Sequence, residues 1–324
     1  MTTPHVTAVM PTHDRARTFG ATLRSLLAQH DVDLEVVVVD DGSTDDTPAV
    51  LSRVDDQRVR VVRREEAGGP SAARNAGIEA ARAPWIAFCD DDDRWAPDKL
   101  AAQLAALDAT PGAAWACTGS VLVDDGGRII DHERPPSSGD ALPALLAGNV
   151  IPGGGSSVLV RADEVRAVGG FEVARRHSED WDLWIRLAER SPIASVDRPL
   201  VAYRIWPGSA SRATEAMHRS WTELTDRYRA LAEARGVAPR RDGHERWLAK
   251  QELRSGRRLG AARRYAAAAA AGGGLRDAAR AALALGAPGV LERGGEARAT
   301  SAVPQSWREE ATAWIAGAEA EVAP

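Results

Sequence analysis

Pro84-Trp85-Ile86-Ala87-Phe88-Cys89-Asp90-Asp91-Asp92-Asp93-Arg94-Trp95 is the stretch that decides how the rest of the chain is read. Its first half is an apolar run bounded by proline and by charge, which reads as a buried strand. Its second half sets four carboxylates in succession at the end of that strand. Adjacent carboxylates repel one another, so such a loop persists only where it is solvated, protonated, capped or holding a cation. Pro97 and Asp98 then open a helix, with proline in the first turn and an acid near the positive end of the dipole. The acids therefore lie at the carboxyl edge of a sheet, where open α/β sheets bind ligands. Taken locally, the run is a solvated turn with one aspartate as N-cap. Its position after a buried strand favours a hard divalent cation, Mg2+ or Mn2+, on one or two carboxylates, with water and substrate phosphates in the remaining positions.

The preceding sequence repeats the same unit. Val6 to Met10 reads as a strand that runs into Pro11-Thr12-His13-Asp14-Arg15, followed by a helix with Leu23, Leu26 and Leu27 at helical spacing. Leu34 to Val39 is apolar on both faces, as a central parallel strand is, and stops at Asp40-Asp41-Gly42-Ser43-Thr44, with a helix from about Asp45. Val59 to Val62 makes a third strand, and Gly68-Gly69-Pro70-Ser71 leads into a helix carrying Arg74-Asn75-Ala76-Gly77. This alternation predicts a parallel α/β sheet with polar loops gathered at one edge. Neither G-x-G-x-x-G after the first strand nor G-x-x-x-x-G-K-[ST] occurs, which disfavours a dinucleotide dehydrogenase or a P-loop enzyme.

The 324 residues are 44% hydrophobic and 27% charged, a globular composition long enough for a main domain and an appendage. Cys89 and Cys117 lie in apolar runs without a CxxC partner, so buried thiols are expected rather than zinc or disulfides. No stretch reaches the roughly 18 apolar residues of a membrane span, and Met1-Thr2-Thr3-Pro4-His5 lacks a basic, apolar leader. A cytoplasmic location, with membrane-peripheral as the variant, is the expectation. The net charge of −5 is unevenly spread. Residues 1–211 hold 22 basic and 32 acidic side chains, residues 212–293 hold 17 and 9, and residues 294–324 hold 2 and 5. The net charges are thus −10, +8 and −3, which suggests a boundary near Ser211. The basic segment reads first as a solvated helical surface, and more weakly as a peripheral contact with an anionic membrane.

Further along, Ala113 to Val123 reads as strand, Asp124-Asp125-Gly126-Gly127 as a hairpin turn and Val158 to Val160 as strand. Gly153-Gly154-Gly155-Ser156-Ser157 is equally a flexible connection or a backbone that approaches a sugar closely. Ser178-Glu179-Asp180 begins a helix whose apolar side carries Trp181, Trp184, Ile185 and Ala188, with Ser178 as cap.

Together these segments resemble glycosyltransferase family 2. The resemblance rests on Pro11-Thr12-His13-Asp14-Arg15, Val39-Asp40-Asp41-Gly42-Ser43, Ala73-Arg74-Asn75-Ala76-Gly77 and Phe88 through Trp95. It continues through Gly169-Gly170-Phe171, Ser178 through Trp184 and Tyr203-Arg204, so it covers roughly the first 211 residues. It implies an inverting, metal-dependent transferase with a GT-A-like sheet and flanking helices, to which the sequence beyond it adds a helical C-terminal extension. Pro11, Thr12, His13 and Asp41 are then expected to hold the nucleotide, and Arg74 the phosphates. Asp90 and Asp91 are expected to face ribose or metal, with Asp92 and Asp90 as metal ligands. The Glu179-Asp180 pair is expected to supply the general base, with Asp180 first. Trp181, Trp184 and Arg204 are placed on the acceptor side, the tryptophans also being good core residues at this spacing. His13 and Asp14 stand where relatives commonly have Tyr and Asn, and Trp206 stands where they often have His. The implied donor is a nucleotide-diphosphate sugar, and the acceptor a glycan, a lipid-linked sugar or a small molecule. No nucleic-acid partner is expected. The rival readings are a nucleotidyltransferase acting on a sugar phosphate and a catalytically idle binding relative.

After Ser211 the texture is helical. Met217, Leu224 and Leu231 suggest one amphipathic helix, and Arg240 to Ala271 and Leu275 to Leu285 two more. From about Gly294 a weakly ordered tail is expected despite Trp307 and Trp314.

Overall fold

The computed structural model describes residues 4–206 and 213–320. Along the chain run β1 (Val6–Thr12), α1 (Phe19–Leu27), β2 (Leu34–Asp41), α2 (Thr47–Leu51), β3 (Val59–Arg64), α3 (Pro70–Ala80), β4 (Trp85–Phe88) and β5 (Arg94–Trp95). Next come α4 (Lys99–Asp108), β6 (Trp115–Val123), β7 (Ile129–Glu133), α5 (Leu142–Ala147), β8 (Val158–Arg161), α6 (Ala162–Ala167), α7 (Glu179–Ala188) and β9 (Ile193–Arg204). The remainder is helical: α8 (Thr214–Arg227), α9 (Arg229–Ala234), α10 (Arg241–Arg254), α11 (Arg258–Ala268), α12 (Gly274–Gly286), α13 (Pro288–Ala302) and α14 (Gln305–Ala320).

The sheet follows the order β3-β2-β1-β4-β8-β6-β9-β5, with β7 on β6. Pairing is parallel from β3 to β4, as the strand–helix alternation predicts. Beyond β4 the expectation of a parallel sheet needs correction. β8 runs antiparallel to both β4 and β6, while β6 and β9 are parallel, so the whole sheet is mixed. Between β4 and β8 the chain passes through β5, α4, β6, β7 and α5, and β8 then enters between β4 and β6 with its direction reversed. β1 lies between β2 and β4, so the order reverses there, and the crevice at the carboxyl ends of β1 and β4 is a topological switch point.

β1 and β2 are buried along their whole length, which explains their uninterrupted apolar sequence. Their side chains pack with Phe19, Leu23 and Leu26 of α1 and Leu100 and Leu107 of α4 in one core. Cys89 and Cys117 are buried free thiols, as expected. Lys99 is an unusual member of this core. It is fully buried, its ammonium 2.8 Å from Gln103 Oε1 and 3.8 Å from the centroid of the Trp95 ring. Burial pulls its pKa down to about 7, against a partial opposing pull from the Cys89 and Cys117 thiols. Between pH 7 and the ordinary lysine value of about 10.4, the unfolded chain then binds more protons than the folded one. Stability should therefore rise with pH across that window. Lys99→Met is expected to flatten the rise and to gain on the order of 1 kcal/mol at pH 7, read from urea unfolding at pH 7 and pH 9.5.

The chain divides into two compact units. One comprises Met1–Leu142, Val150–Arg204 and Pro304–Pro324, the other Pro143–Asn149 and Ile205–Val303. The boundary expected at Ser211 lies outside the described residues. The segment expected as a tail from Gly294 is helical to Ala320 except at Val303 and Pro304, and α14 belongs to the first unit. Trp307 and Ile315 of α14 are buried, Trp314 Nε1 donates to Pro199 O at 3.2 Å, and the Trp307 ring lies 5.2 Å from the Arg134 guanidinium. Gly119 makes this possible, since a Cβ there would come within 2.2 Å of Trp307 Cη2. In the second unit, the single helix expected over 240–271 is two, α10 and α11, parted at Gly256, whose φ is +72°. Met217, Leu224 and Leu231 fall on α8 and α9 rather than on one helix.

Candidate active site

The tetra-aspartate loop follows β4 at the switch point, and its four carboxylates divide two and two. Asp91 and Asp93 are buried, and Asp90 and Asp92 are half-buried. Asp91 turns toward the first loop, where Thr12 Oγ1 donates to its Oδ2 at 2.7 Å and Arg15 Nε lies 3.6 Å from Oδ1. Burial raises the Asp91 pKa to about 7, Thr12 opposing and Asp92 adding to the rise. Asp93 accepts from Ser156 Oγ at 2.5 Å and from the Arg204 backbone N–H at 3.0 Å. Its pKa is pushed well up by burial and by Asp92 and Asp90. Repulsion in the run is thus relieved by burying and hydrogen-bonding every second acid.

Asp90 faces Arg74 of α3. The Arg74 guanidinium donates to Asp90 Oδ1 at 2.6 Å and to Glu179 Oε1 of α7 at 2.9 Å, so one buried cation ties the aspartate loop to the start of α7. Burial pulls its pKa down, but Asp90 and Glu179 more than offset this and hold it charged. The neighbouring Asn75 amide pairs with the Phe171 backbone in both directions, each bond 2.8 Å. Arg74-Asn75 and Gly169-Gly170-Phe171, far apart in sequence, are therefore two halves of one feature. Phe171 also stacks edge-on to Phe88 at 5.1 Å, beneath the aspartate loop.

Asp180 lies next to Glu179 in the first turn of α7. Its Oδ1 accepts the Trp181 backbone N–H at 2.7 Å, and a Cβ on Gly154 would lie 3.8 Å from Oδ2. Burial, then the Glu179 charge, raises its pKa to about 6, with Trp181 N–H and Arg74 opposing. Gly153 and Gly154 both adopt left-handed backbone, φ +57° and +54°, which a side chain would strain. This is how the glycine run bends close to Asp180 and sets Ser156 between Asp90 N and Asp93. The expected cap, Ser178, is left-handed at φ +57° and makes no side-chain cap bond, so its hydroxyl does not satisfy the helix N–H groups.

The remaining predicted residues fall as follows. Pro11 and Thr12 end β1. His13 Nδ1 sits 2.9 Å from Asp41 O, its ring about half exposed. The Asp41 carboxylate is buried, accepting Gly69 N–H at 2.7 Å and Gly68 N–H at 3.1 Å and pairing with Arg64. It anchors the turn before α3 and does not cap α2. Asp14 joins the first two loops by accepting Thr44 N–H at 2.7 Å. The Arg204 guanidinium pairs with Asp125 at 3.0 Å. Trp181 and Trp184 are corrected to core residues. Trp184 is fully buried and stacks on Trp115 at 6.0 Å, so it has no free face for a sugar ring. Ser156 and Phe171 take part without having been singled out as site residues. Their sequence signals were a serine after three glycines and an aromatic after two.

Among the described residues no group of three or more His, Cys, Asp and Glu side chains is arranged around a cation position. Two half-buried carboxylates, Asp90 and Asp92, nonetheless fit a hard cation that completes its shell with water and phosphate oxygens.

Residues 7–162 match the family described as glycosyl transferase family 2. Over those residues, just under half of its length, this chain matches glycosyltransferase family 2. It is 40% identical over 154 residues to the succinoglycan biosynthesis protein ExoO of Rhizobium meliloti, a match covering 46% of this chain and 43% of that protein. The chain thus spans under half of that relative's length. It is 24% identical over 225 residues to WfgD of Escherichia coli, named a UDP-Glc:alpha-D-GlcNAc-diphosphoundecaprenol beta-1,3-glucosyltransferase, covering 68% of this chain and 85% of the relative. In fold it resembles the mannosyltransferase PcManGT of Pyrobaculum calidifontis, solved with GDP-Man and Mn2+. The TM-score is 0.54 at 21% identity, over 99% of this chain and 87% of that one. The mixed α/β sheet with flanking helices is accordingly GT-A-like, as the family 2 motifs imply. Among the described residues no helix is long and apolar enough to cross a membrane.

Proposed function

We propose that the chain transfers a sugar, with inversion, from a nucleoside-diphosphate donor to an acceptor hydroxyl. The observation that carries this reading is Asp180. It is a carboxylate raised to about 6, next to Glu179, which shares the Arg74 guanidinium with Asp90 of the aspartate loop. A base with that pKa is largely ionised near neutral pH and still basic enough to accept a proton as the transition state forms. The acceptor oxygen bonds to the anomeric carbon as the bond from that carbon to the diphosphate oxygen breaks, and Asp180 takes the hydroxyl proton. One in-line displacement inverts the centre.

Asp92 and Asp90 would hold a divalent cation, which supplies charge neutralisation to the departing diphosphate. Mn2+ alongside GDP-Man in PcManGT supports that assignment. Thr12, His13 and the loop anchored by Asp41 line the carboxyl edge where the nucleotide would lie. Arg74 then has two tasks: it keeps Asp90 oriented and ties Glu179, at the start of α7, to the aspartate loop. The acceptor is a glycan, a lipid-linked sugar or a small molecule, and the name of WfgD supports the second.

The test is a panel of nucleotide sugars scored for thermal stabilisation with and without Mn2+, then for release of nucleoside diphosphate with candidate acceptors. One donor at a hundredfold excess over its Kd should stabilise the protein by about 2.7 kcal/mol. A panel with no stabilisation and no diphosphate release overturns the reading.

A further inference from the structure

Helix α12 is folded with its polar side inward. Successive residues of a helix turn by about 100°. On the inner side Asp277 is buried and ion-paired to Arg246 at 2.9 Å and Arg280 at 2.6 Å, and Ala284 is buried in the core of the helical unit with Tyr265 and Leu253. The outer side is apolar throughout. Leu275 is 89% exposed, Leu285 52% and Leu283 38%, with exposed Ala278, Ala279 and Ala282 among them. A soluble helix ordinarily shows the reverse arrangement, and a contiguous exposed apolar face marks an interaction surface.

The surrounding charge selects the occupant. Arg276 follows Leu275 at the border of this face. Arg276, and Arg263 on α11, are exposed and make no hydrogen bond or ion pair among the described residues. The sequence over 212–293 holds 17 basic and 9 acidic side chains. A second copy docked through this same face would bring like charge against like charge. An anionic bilayer surface answers both features, apolar residues entering the headgroup boundary and arginines pairing with lipid phosphates.

We infer that the outward face of α12 docks the protein on an anionic membrane surface, with Leu275, Leu283 and Leu285 inserted and Arg276 and Arg263 on headgroups. This contact stands apart from the sugar-transfer reading and is tested without turnover. The full chain is sedimented with vesicles of phosphatidylcholine and phosphatidylglycerol, and with phosphatidylcholine alone. Wild-type protein should sediment with the anionic vesicles and do so less at high salt. The Leu275→Glu/Leu285→Glu double substitution, at exposed positions, should cut partitioning by at least about tenfold with an unchanged circular-dichroism spectrum. Arg263→Glu/Arg276→Glu should abolish the preference for anionic lipid. Wild-type protein that stays in the supernatant with anionic vesicles overturns the inference. So does a concentration-dependent dimer in ultracentrifugation that the leucine substitutions dissolve while vesicle partitioning is unmoved.

Discussion

Asp180→Asn is expected to bind nucleotide sugar and metal as the wild type does, yet to transfer sugar at least about a hundredfold more slowly. Asparagine keeps the shape and can still accept the Trp181 N–H through its oxygen, but it cannot take the acceptor's proton. The competing account makes Asp180 a carboxylate in the first turn of a helix, which contributes about 0.3–1 kcal/mol to stability and nothing to turnover. The two accounts separate cleanly when rate and unfolding are measured on one preparation. The pH profile separates them again. With a pKa raised to about 6 by burial and the neighbouring Glu179, the base loses its function as pH falls through that value. Wild-type turnover should therefore drop about tenfold per pH unit below 6, and the residual turnover of Asp180→Asn should lack that limb. Normal transfer by Asp180→Asn at saturating acceptor would return the residue to its local role.

Asp92→Asn should lose roughly a hundredfold in turnover, equivalent to about 2.7 kcal/mol of transition-state stabilisation, together with most of its diphosphate affinity in Mn2+. The fold should survive, because Asp92 is one of the two half-buried members of the run. Asp93→Ala, the neighbouring control, should instead lower stability, since it leaves the buried Ser156 hydroxyl and Arg204 N–H without their acceptor. Wild-type protein that is fully active in a chelator would remove the metal from the proposal and leave Asp92 without an assigned task.

Much of the sheet is legible in the sequence. β1, β2 and β4 are buried on both faces, so each appears as a short apolar run closed by a polar loop. The aspartates follow β4, Arg74 lies in the second turn of α3 and the Glu179-Asp180 pair opens α7, so the element each belongs to was legible in the sequence. The antiparallel insertion of β8 was not legible, because an apolar strand carries no mark of its neighbour's direction. Nor was the docking of α14, although Trp307, Ala311, Trp314 and Ile315 are spaced for a helix face. Its receptor is the bare backbone at Gly119, remote in sequence and silent in any local pattern.

The aspartate loop marks the division most clearly. By itself the sequence determined that four charges stand together at the end of a buried strand, and that something must neutralise or bind them. Which of them turn inward was decided only by tertiary structure. In an irregular loop there is no period of 2 or 3.6 to assign faces, so each side chain goes where a partner waits. Thr12, 79 residues upstream, draws Asp91 inward; Ser156, 63 residues downstream, does the same for Asp93. Asp90 and Asp92 stay half-exposed at the crevice because hydrogen-bond donors brought from distant parts of the chain bury the other two.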